Sequence, residues 1–579
     1  MTEQQLDDWV SRLADEVIAD AKSRGIKVVC ASGISPSGPI HLGNLREVMT
    51  PHLVADEVRR RGIDCEHIIS WDDYDRFRKV PRGIEGVDDS WAEHIGKPLT
   101  AVPPPRGSDA SSWAEHFRRQ LEGALADLGI RYRGISQTQQ YTSGAYADQV
   151  IFAMSQRSEI DKVLDQYRTL QRADAPKPQQ KLDADQEAAA AEAAEGSGAA
   201  TEDDGATTSG YFPYKPFCTV CNTDFTTVTA YNDATAELTY TCRCGHTETV
   251  DLHTFHHGKL VWKVDWPMRW AYEKVVFEPS GVDHQSPGSS YVVGKQLAPI
   301  FGWERPIGPM YAFVGIKGMA KMSSSKGGVP IPAEALQIME PPLLRWLYAR
   351  RRPNQAFDVA FDAEIQRMYD EWDALARKVS QGAGQAGDVA AWTRAISTAD
   401  GELPQTAYPV AYRTLASIVD ITTGDEDQTL RIVRQLDPAD PAPGLDALRP
   451  RLDCVEHWVA TRMAPEDRTV VRTAPDEQAL AGADREALRI LLDGNGKDLS
   501  RIEDDWSLDG LTHQVYGVPK VQRGLAADQI VKGDKELSAA QRAFFKQLYQ
   551  LLIGKDTGPR LPTLLLAIGP ERVRTLLGG

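Results

Sequence analysis

Two stretches of the chain combine residue types that suit the binding of a nucleoside triphosphate. Residues 31–44 read Ala-Ser-Gly-Ile-Ser-Pro-Ser-Gly-Pro-Ile-His-Leu-Gly-Asn, and residues 321–327 read Lys-Met-Ser-Ser-Ser-Lys-Gly. Small residues in the first stretch let the backbone approach a phosphate, and a helix N-terminus after it supplies free N–H groups and a partial positive charge. The second stretch places two lysines and three hydroxyls on a short loop. Together they predict nucleotidyl transfer, in which a carboxylate displaces pyrophosphate from ATP through positioning and charge stabilisation.

The residues predicted to act on ATP fall in these two stretches. His41 would donate a hydrogen bond to phosphate or ribose oxygens. Lys321 and the hydroxyls of Ser323 and Ser325 would follow the departing pyrophosphate, and Mg²⁺ would accompany the ATP. The complete set of predicted catalytic and ATP-binding residues is Ser37, Gly38, His41, Gly43, Asn44, Lys321, Ser323, Ser325 and Lys326.

Apolar runs on either side of the first stretch predict the elements that must position it. Residues 26–30 are typical of a buried strand, residues 41–61 have helical spacing, and residues 67–71 are typical of a second strand. A βαβ unit of this kind predicts a parallel sheet with its ligand at the carboxyl ends of the strands. Residues 309–314 predict a further parallel strand that delivers Lys321 to the same crevice.

Four of the seven cysteines form two close pairs, Cys218-x-x-Cys221 and Cys242-x-Cys244. Two such pairs present four thiolates in a tetrahedron, for which Zn²⁺ is the usual occupant, and the clustering indicates a reducing compartment. The second pair is one residue shorter than the common form, which leaves His246 open as a replacement ligand. A site closed by four ligands has no open position, so the zinc is predicted to be structural.

The 579 residues predict several domains. The predicted fold is α/β: a Rossmann-like parallel-sheet catalytic domain, an inserted zinc ribbon and a C-terminal all-α bundle. An acidic, low-complexity segment precedes the ribbon and is predicted to be disordered. The predicted divisions are 1–170 and 261–330 for the two halves of the catalytic domain, 173–210 for the acidic insertion, 211–260 for the ribbon and 331–579 for the helical domain.

Composition excludes some classes of protein. No apolar stretch approaches the ~20 residues that span a bilayer, and the polar N-terminus has no signal-peptide pattern, so we expect a cytoplasmic protein without a membrane partner. The net charge of −17 argues against a general nucleic-acid coat but leaves a specific RNA partner open. We expect a monomer.

Residues 41–44 and 321–325 resemble the HIGH and KMSKS motifs of class I aminoacyl-tRNA synthetases. Two departures from these motifs change a potentially charged residue. Asn44 stands where HIGH has its second histidine, and Ser324 stands where KMSKS has its second lysine, a charge that Lys326 would supply.

Nearly the whole chain, apart from the acidic insertion, is similar to class I lysyl-tRNA synthetases. The matching blocks include residues 32–38, 71–81 and 262–267, the cysteine pairs and the lysine loop. This resemblance implies ligation of L-lysine to tRNA(Lys) through a lysyl-adenylate, with lysine activation dependent on the tRNA. The implied lysine pocket consists of Gly33, Ser35, Trp262, His284 and Tyr311, with Asp283, Asp265 or Asp72 as the partner of an ammonium group held against aromatic faces.

Two alternatives to lysine ligation remain open from the sequence. One is a class I synthetase for glutamate or cysteine. The other is a non-catalytic, tRNA-binding regulatory paralogue, which the replacements at Asn44 and Ser324 make conceivable.

Overall fold

The computed structural model describes residues 6–172, 205–207, 209–317 and 329–579. The described residues fall into two compact units. The first lies within Met1–Leu336, Pro341–Ala360 and Leu375–Leu403, and the second within Gln337–Glu340, Phe361–Ala374 and Pro404–Gly579. Among the described helices we find none whose length and apolar character would let it cross a bilayer.

A parallel sheet forms the centre of the first unit. Strands β1 (Val28–Ile34), β2 (Cys65–Trp71) and β3 (Arg133–Ser136) pair in that order. On the other side of β1, Phe277 forms parallel bridges with both Cys30 and Ile307. Beyond these bridges β4 (Ser280–Gly281) pairs in parallel with β5 (Met310–Tyr311). The lateral order is therefore 3-2-1-4-5, as in the doubly wound nucleotide-binding folds, and the crevice opens at the carboxyl ends of β1 and β4.

Four helices pack on or near this sheet: α1 (Trp9–Arg24), α2 (Leu42–Arg60), α3 (Trp113–Asp127) and α4 (Trp262–Tyr272). Helix α2 follows β1 and is buried along most of its length, so that even polar residues such as Arg46, His52 and Glu57 are buried. Pro51 lies inside it. The predicted βαβ unit is confirmed.

All three predicted strands differ from the observed ones, and the second differs least, since it begins at Cys65 instead of His67. The first extends to Ile34 instead of ending at Cys30, because its pairing with β2 continues through Gly33↔Ser70 and Ile34↔Trp71. The expected single strand over 309–314 is interrupted, because Ala312 donates its N–H to the Pro353 carbonyl. The chain then pairs elsewhere, as Val314–Ile316 runs parallel to Phe357–Val359.

The cysteine module is a small antiparallel structure that lies, in sequence, between the strands β1–β3 and the strands β4 and β5. Its strands are Thr226–Asn232, Glu237–Cys242 and Thr247–Asp251, and a second antiparallel pair joins Tyr214–Pro216 to Gly258–Leu260. Most of the acidic insertion 173–210 lies outside the described residues. At its end, Ala206–Thr207 pairs with Gly210–Tyr211.

Further short elements complete the first unit. Its other helices are Gln137–Thr142, Ala147–Ser155, Arg157–Arg172, Ser290–Leu297, Pro332–Leu336, Pro341–Ala349 and Ala386–Ile396. Its 3-10 turns are Asp89–His94, Leu99–Ala101, Val282–His284 and Ala298–Phe301, and Ser397–Thr398 pairs with Gly401–Glu402.

The second unit is helical. Helix Ile365–Ser380 begins in it, and its other helices are Tyr412–Thr422, Glu426–Arg434, Arg451–Thr461, Glu477–Ala481, Arg485–Asp493, Leu508–Val521, Lys535–Ile553, Leu561–Ile568 and Pro570–Leu576. The buried Arg451 side chain pairs with Glu340 at 2.8 Å and with Asp373 at 2.9 Å.

The chain beyond residue 331 is helical, as predicted, apart from turns, loops and three short strands. These strands are Phe357–Val359, Ser397–Thr398 and Gly401–Glu402, and they belong to the first unit.

Candidate functional site

The turn after β1 runs into the N-terminus of α2 and contains the residues predicted to bind ATP. His41 occupies the N-cap position, and Gly43 and Asn44 lie in the first turn of the helix. The Trp113 indole supports the turn by donating a hydrogen bond of 3.0 Å to the Ser37 carbonyl. The buried Oδ1 of Asn44 receives no hydrogen bond from any described residue. The turn therefore leads into a helix N-terminus, whose partial positive charge suits an anion, while the Asn44 N–H already donates to the His41 carbonyl.

The lysine-rich loop cannot be placed beside this turn. Residues 318–328 lie outside the described part of the chain, so Lys321, Ser323, Ser325 and Lys326 stay predictions. The described chain resumes nearby, because the Leu42 N–H donates to the Pro330 carbonyl at 3.2 Å.

Aromatic residues form one wall of the crevice. Trp262 stacks on Trp266 with ring centroids 5.0 Å apart, and Trp266 meets the His284 ring edge-on at 5.6 Å. The Nδ1 atom of His284 is buried without a hydrogen-bond partner among the described residues. Gly33 lies at the end of β1, and Tyr311 at the end of β5. The structure thus brings four of the predicted pocket residues to the carboxyl ends of the strands, while Ser35 is exposed in the turn.

The sequence offers three carboxylates as partners for the lysine ammonium, and two of them are already paired within the protein. Buried Arg269 donates to Asp72 Oδ1 at 2.6 Å and also binds Asp265. Asp265 further accepts a hydrogen bond of 2.6 Å from Tyr141 and lies 3.6 Å from the Lys259 ammonium. Burial raises the pKa of Asp72 to about 6, although Arg269 opposes this shift. The third candidate, Asp283, lies half-buried beside β4, with Oδ2 4.0 Å from His284 Nε2.

Glu47, on the second turn of α2, is a site residue that our sequence reasoning missed. Its carboxylate accepts a hydrogen bond from the Tyr311 hydroxyl and a long one, 3.5 Å, from the Gly33 N–H. Burial raises its pKa to about 8; the Tyr311 hydrogen bond opposes the shift, and the charge of Glu278 adds to it. One signal was available, because Glu47 stands three residues after Asn44 and so shares its face of the helix.

Glu278 is the second residue that was missed. It closes the apolar run Val275-Val-Phe and precedes β4, so it lies at the carboxyl end of a sheet segment. It is 4% exposed and accepts a hydrogen bond from the Trp270 indole. Burial raises its pKa to about 7, against hydrogen bonds from Trp266 and Trp270. A carboxylate that ends a buried run is the signal that would have identified it.

The four cysteines of the inserted module converge. Their sulfur atoms all lie within 4.8 Å of one another; Cys218 is 3.7 Å from Cys244, and Cys221 is 3.6 Å from Cys242. Four thiolates around one Zn²⁺ at 2.3 Å stand about 3.8 Å apart, so the observed spacing fits a tetrahedral zinc site. His246 is engaged elsewhere, with Nε2 3.2 Å from both Thr219 and Glu248.

The cysteine module contacts the segment that follows β2. The ring of Phe217 lies 5.0 Å from Tyr74, Asp224 pairs with Arg76 at 3.2 Å, and Lys259 pairs with Asp75 at 2.6 Å. This segment begins with Asp72 at the crevice, so the module supports one wall of the site.

Comparisons with known proteins agree with this geometry. Residues 7–400 match the family model described as tRNA synthetases class I (K). A lysine–tRNA ligase of Streptomyces coelicolor is 64% identical over 99% of this chain and 98% of its own length. Those of Treponema pallidum and Borreliella burgdorferi are 33% and 31% identical, over 98% and 97% of this chain and the same shares of their own lengths. The chain belongs to the class I lysyl-tRNA synthetase family.

Proposed function

We propose that this protein ligates L-lysine to tRNA(Lys) in an ATP-dependent reaction that passes through lysyl-adenylate. The observation that carries the proposal is the buried carboxyl group of Glu47 beside Tyr311, at the crevice between the phosphate turn and the aromatic wall. The names of the full-length relatives support the same activity.

The pocket suits a long cation. An ammonium group placed at Glu47 would replace the water that burial removes from its carboxylate and would form a charge-assisted hydrogen bond. The indole of Trp262 and the ring of Tyr311 would cover the methylene groups of the side chain, and His284 would offer its unpartnered Nδ1 atom. Asp283 stays a candidate for a rim contact. A glutamate side chain, in contrast, would face Glu47, Glu278 and Asp72, and burying a further carboxylate beside them would require these groups to be neutral.

The first chemical step forms one bond and breaks another at the α-phosphorus of ATP. A carboxylate oxygen of lysine attacks, the bond to the β-phosphate oxygen breaks, and pyrophosphate leaves. The N–H groups at the start of α2, together with His41 and Asn44, would stabilise the charge that develops on the phosphate oxygens. Ser37, Gly38 and Gly43 would let the backbone approach the nucleotide, and Lys321, Ser323, Ser325, Lys326 and Mg²⁺ would stabilise the leaving pyrophosphate.

In the second step a hydroxyl of the terminal tRNA ribose attacks the lysyl carbonyl, and AMP leaves.

We propose that the helical domain within residues 331–579, which includes the second unit, contacts the tRNA stem and binds its anticodon. We further propose a monomer that acts in the cytoplasm and whose lysine activation depends on tRNA. The four-cysteine site would hold one structural Zn²⁺ through Cys218, Cys221, Cys242 and Cys244.

The experiment that tests the function is charging of total tRNA with each of the twenty labelled amino acids, in the presence of ATP and Mg²⁺. We expect lysine alone to be transferred, with strong losses of activity in Lys321→Ala and His284→Ala. Transfer of glutamate or cysteine would contradict the proposed pocket. Failure to charge any amino acid, by folded protein with one zinc per chain, would favour a regulatory paralogue.

A further inference from the structure

Pro51 removes a hydrogen bond from the middle of helix α2. In a regular helix the N–H of residue 51 would donate to the carbonyl of Glu47, four residues earlier, but proline has no N–H. The sheet supplies a donor instead, because the Ser32 hydroxyl on β1 donates to the Glu47 carbonyl oxygen at 3.0 Å. Ser32 therefore takes the place of the missing helical donor at a residue of the candidate site.

This hydrogen bond determines which nitrogen of His67 carries the proton. The Ser32 hydroxyl has one proton, and that proton is used at the Glu47 carbonyl, which can only accept. His67 Nε2 lies 3.0 Å from the same hydroxyl oxygen, so Nε2 is protonated and donates to it. Burial lowers the pKa of His67 to about 3, so the ring is neutral and its Nδ1 atom is an acceptor.

His52 has the opposite tautomer for a similar reason. Arg345 Nη1 lies 3.0 Å from His52 Nε2, and a guanidinium can only donate, so Nε2 is the acceptor. Burial holds the pKa of His52 well below its usual value, and the charge of Arg345 adds to this shift. The neutral ring therefore carries its proton on Nδ1.

Two buried nitrogen atoms with complementary roles thus lie on neighbouring rings. His52 Nδ1 is a donor, His67 Nδ1 is an acceptor, and neither has a hydrogen-bond partner among the described residues. The ring centroids are 6.1 Å apart, a separation that two hydrogen bonds of about 2.9 Å through one water molecule can span. A buried polar atom without a partner is costly, and buried water is the usual partner of such atoms.

We propose that His52 and His67 bind one water molecule between their Nδ1 atoms and so complete a hydrogen-bond chain that positions Glu47. The chain begins at the Arg345 cation, passes through the two histidines and the water, and ends at the Ser32 hydroxyl. Every donor in it points in the same direction, so each hydrogen bond polarises the next. Its effect on catalysis rests on the proposed function, whereas the two tautomers do not depend on that function.

The chain joins α2 to other elements of the first unit. Ser32 belongs to β1, His67 to β2, and Arg345 to the helix that begins at residue 341. Gly33, the neighbour of Ser32, donates its N–H to the carboxylate of Glu47 at 3.5 Å. Strand β1 therefore holds Glu47 at both its carbonyl and its carboxylate. The chain residues are positioning residues, because they act on the site through Glu47.

The first test determines the two tautomers by nitrogen-15 NMR of the folded protein labelled at histidine. Protonated and unprotonated imidazole nitrogens differ strongly in chemical shift. We expect the proton on Nε2 in His67 and on Nδ1 in His52, and the variants His52→Gln and His67→Gln assign the two sets of signals. A charged ring, or the same tautomer in both residues, would overturn the inference.

The second test is Ser32→Ala, which removes the last donor of the chain. We expect the lysine KM of the charging reaction to rise roughly threefold to tenfold, because the Glu47 carbonyl loses a hydrogen bond, with the KM for ATP unchanged. The matched control is Thr50→Val, which removes a buried hydroxyl that donates to the Arg46 carbonyl of the same helix at 2.9 Å. An unchanged lysine KM in Ser32→Ala would overturn the positioning role, whereas failure of the wild-type protein to charge lysine would instead overturn the proposed function.

Pro51→Ala separates the chain from a general effect of packing. Alanine at this position returns an N–H four residues after Glu47, which makes the Ser32 hydroxyl dispensable. We expect Ser32→Ala to lower the melting temperature less, and to raise the lysine KM less, in the Pro51→Ala background than in the wild-type background. Equal effects of Ser32→Ala in the two backgrounds would contradict a chain that replaces the missing helical hydrogen bond.

Discussion

At the scale of single residues, Glu47 makes the binding of lysine depend on pH. Burial raises the pKa of its carboxyl group to about 8, so at pH 7 the group is largely protonated in the absence of substrate. Only the ionised form can pair with an ammonium. Lysine binding below pH 8 therefore has to expel a proton from Glu47, and binding above pH 8 does not.

We therefore predict that the lysine KM falls by up to about tenfold per pH unit between pH 6 and pH 8 and levels off above pH 8. The measurement is the lysine KM of the charging reaction across this range, with the KM for ATP as the reference. Glu47→Gln should bind lysine weakly at every pH, without this slope. A lysine KM that is flat from pH 6 to pH 8 in the wild type would show that Glu47 does not contact the ammonium.

Arg269 is the residue on which the buried charges of the site depend for stability. It is 5% exposed and pairs with both Asp72 and Asp265. Arg269→Met would leave these carboxylates buried without their main cation, and we predict a loss of about 3–5 kcal/mol in the free energy of unfolding. Urea denaturation at pH 7 measures this loss.

The control for Arg269 is Arg133→Met. Arg133 also pairs with two carboxylates, Glu66 and Glu273, but its side chain is 45% exposed. Water screens such a pair, so the expected loss is at most about 1 kcal/mol. Equal losses in the two variants would mean that the Arg269 network is not stabilising in the way we infer.

The sequence identifies site residues only where the spacing of neighbours carries the signal. Cys218, Cys221, Cys242 and Cys244 are close in sequence and were predicted to converge, as they do. Asp72 and Asp265 were open candidates for the ammonium partner. Nothing local shows that Arg269, 197 positions after Asp72, pairs with Asp72, although its position four residues after Asp265 on one helix does indicate the second pair. Glu47 and Glu278 were missed for the same reason: their burial depends on tertiary packing.

At the scale of elements, the cysteine module supports the segment after β2. Its contacts run from Phe217 to Tyr74, from Asp224 to Arg76 and from Lys259 to Asp75. Because a metal bound by four thiolates supplies much of the folding energy of so small a module, loss of the metal should loosen this segment.

We predict one zinc per chain, and we predict that its removal by a chelator lowers the melting temperature and raises the lysine KM. Metal analysis, thermal unfolding and charging kinetics provide the three readouts. Cys218→Ser should reproduce the effect, and Cys454→Ser, which changes a buried cysteine of the second unit, should leave the zinc content at one. Zinc loss that leaves the lysine KM unchanged would argue against support of the site by the module.

Element boundaries were predictable where the hydrophobic pattern is strong and not where pairing decides them. Helix α2 was expected over 41–61 and spans Leu42–Arg60, because its apolar period and its glycine stop are local signals. Strand β1 extends past its apolar run into Ser32 and Gly33, because backbone pairing with β2 holds these small residues in place. The interruption between β5 and Val314–Ile316 depends on Pro353 and Phe357–Val359, which are distant in sequence.

At the scale of the whole molecule, the chain has two compact units, each with its own buried charge network. In the first unit, buried Arg394 pairs with Asp8 and Glu57, both at 2.7 Å; in the second, Arg451 pairs with Glu340 and Asp373. All the described residues of the proposed lysine pocket belong to the first unit. A ligand that binds only one unit stabilises that unit alone if the two unfold independently.

We predict two calorimetric unfolding transitions, of which lysine raises only one. At a lysine concentration 100 times its dissociation constant, the stabilisation is about 2.7 kcal/mol. Arg451→Met leaves Glu340 and Asp373 buried without their cation, so it should lower the other transition, by about 3–5 kcal/mol in free energy. The double condition, Arg451→Met with lysine, should then raise one transition and lower the other. A single transition that moves with both changes would show that the units unfold as one, and the helical unit would then contribute to lysine binding through the stability of the whole chain.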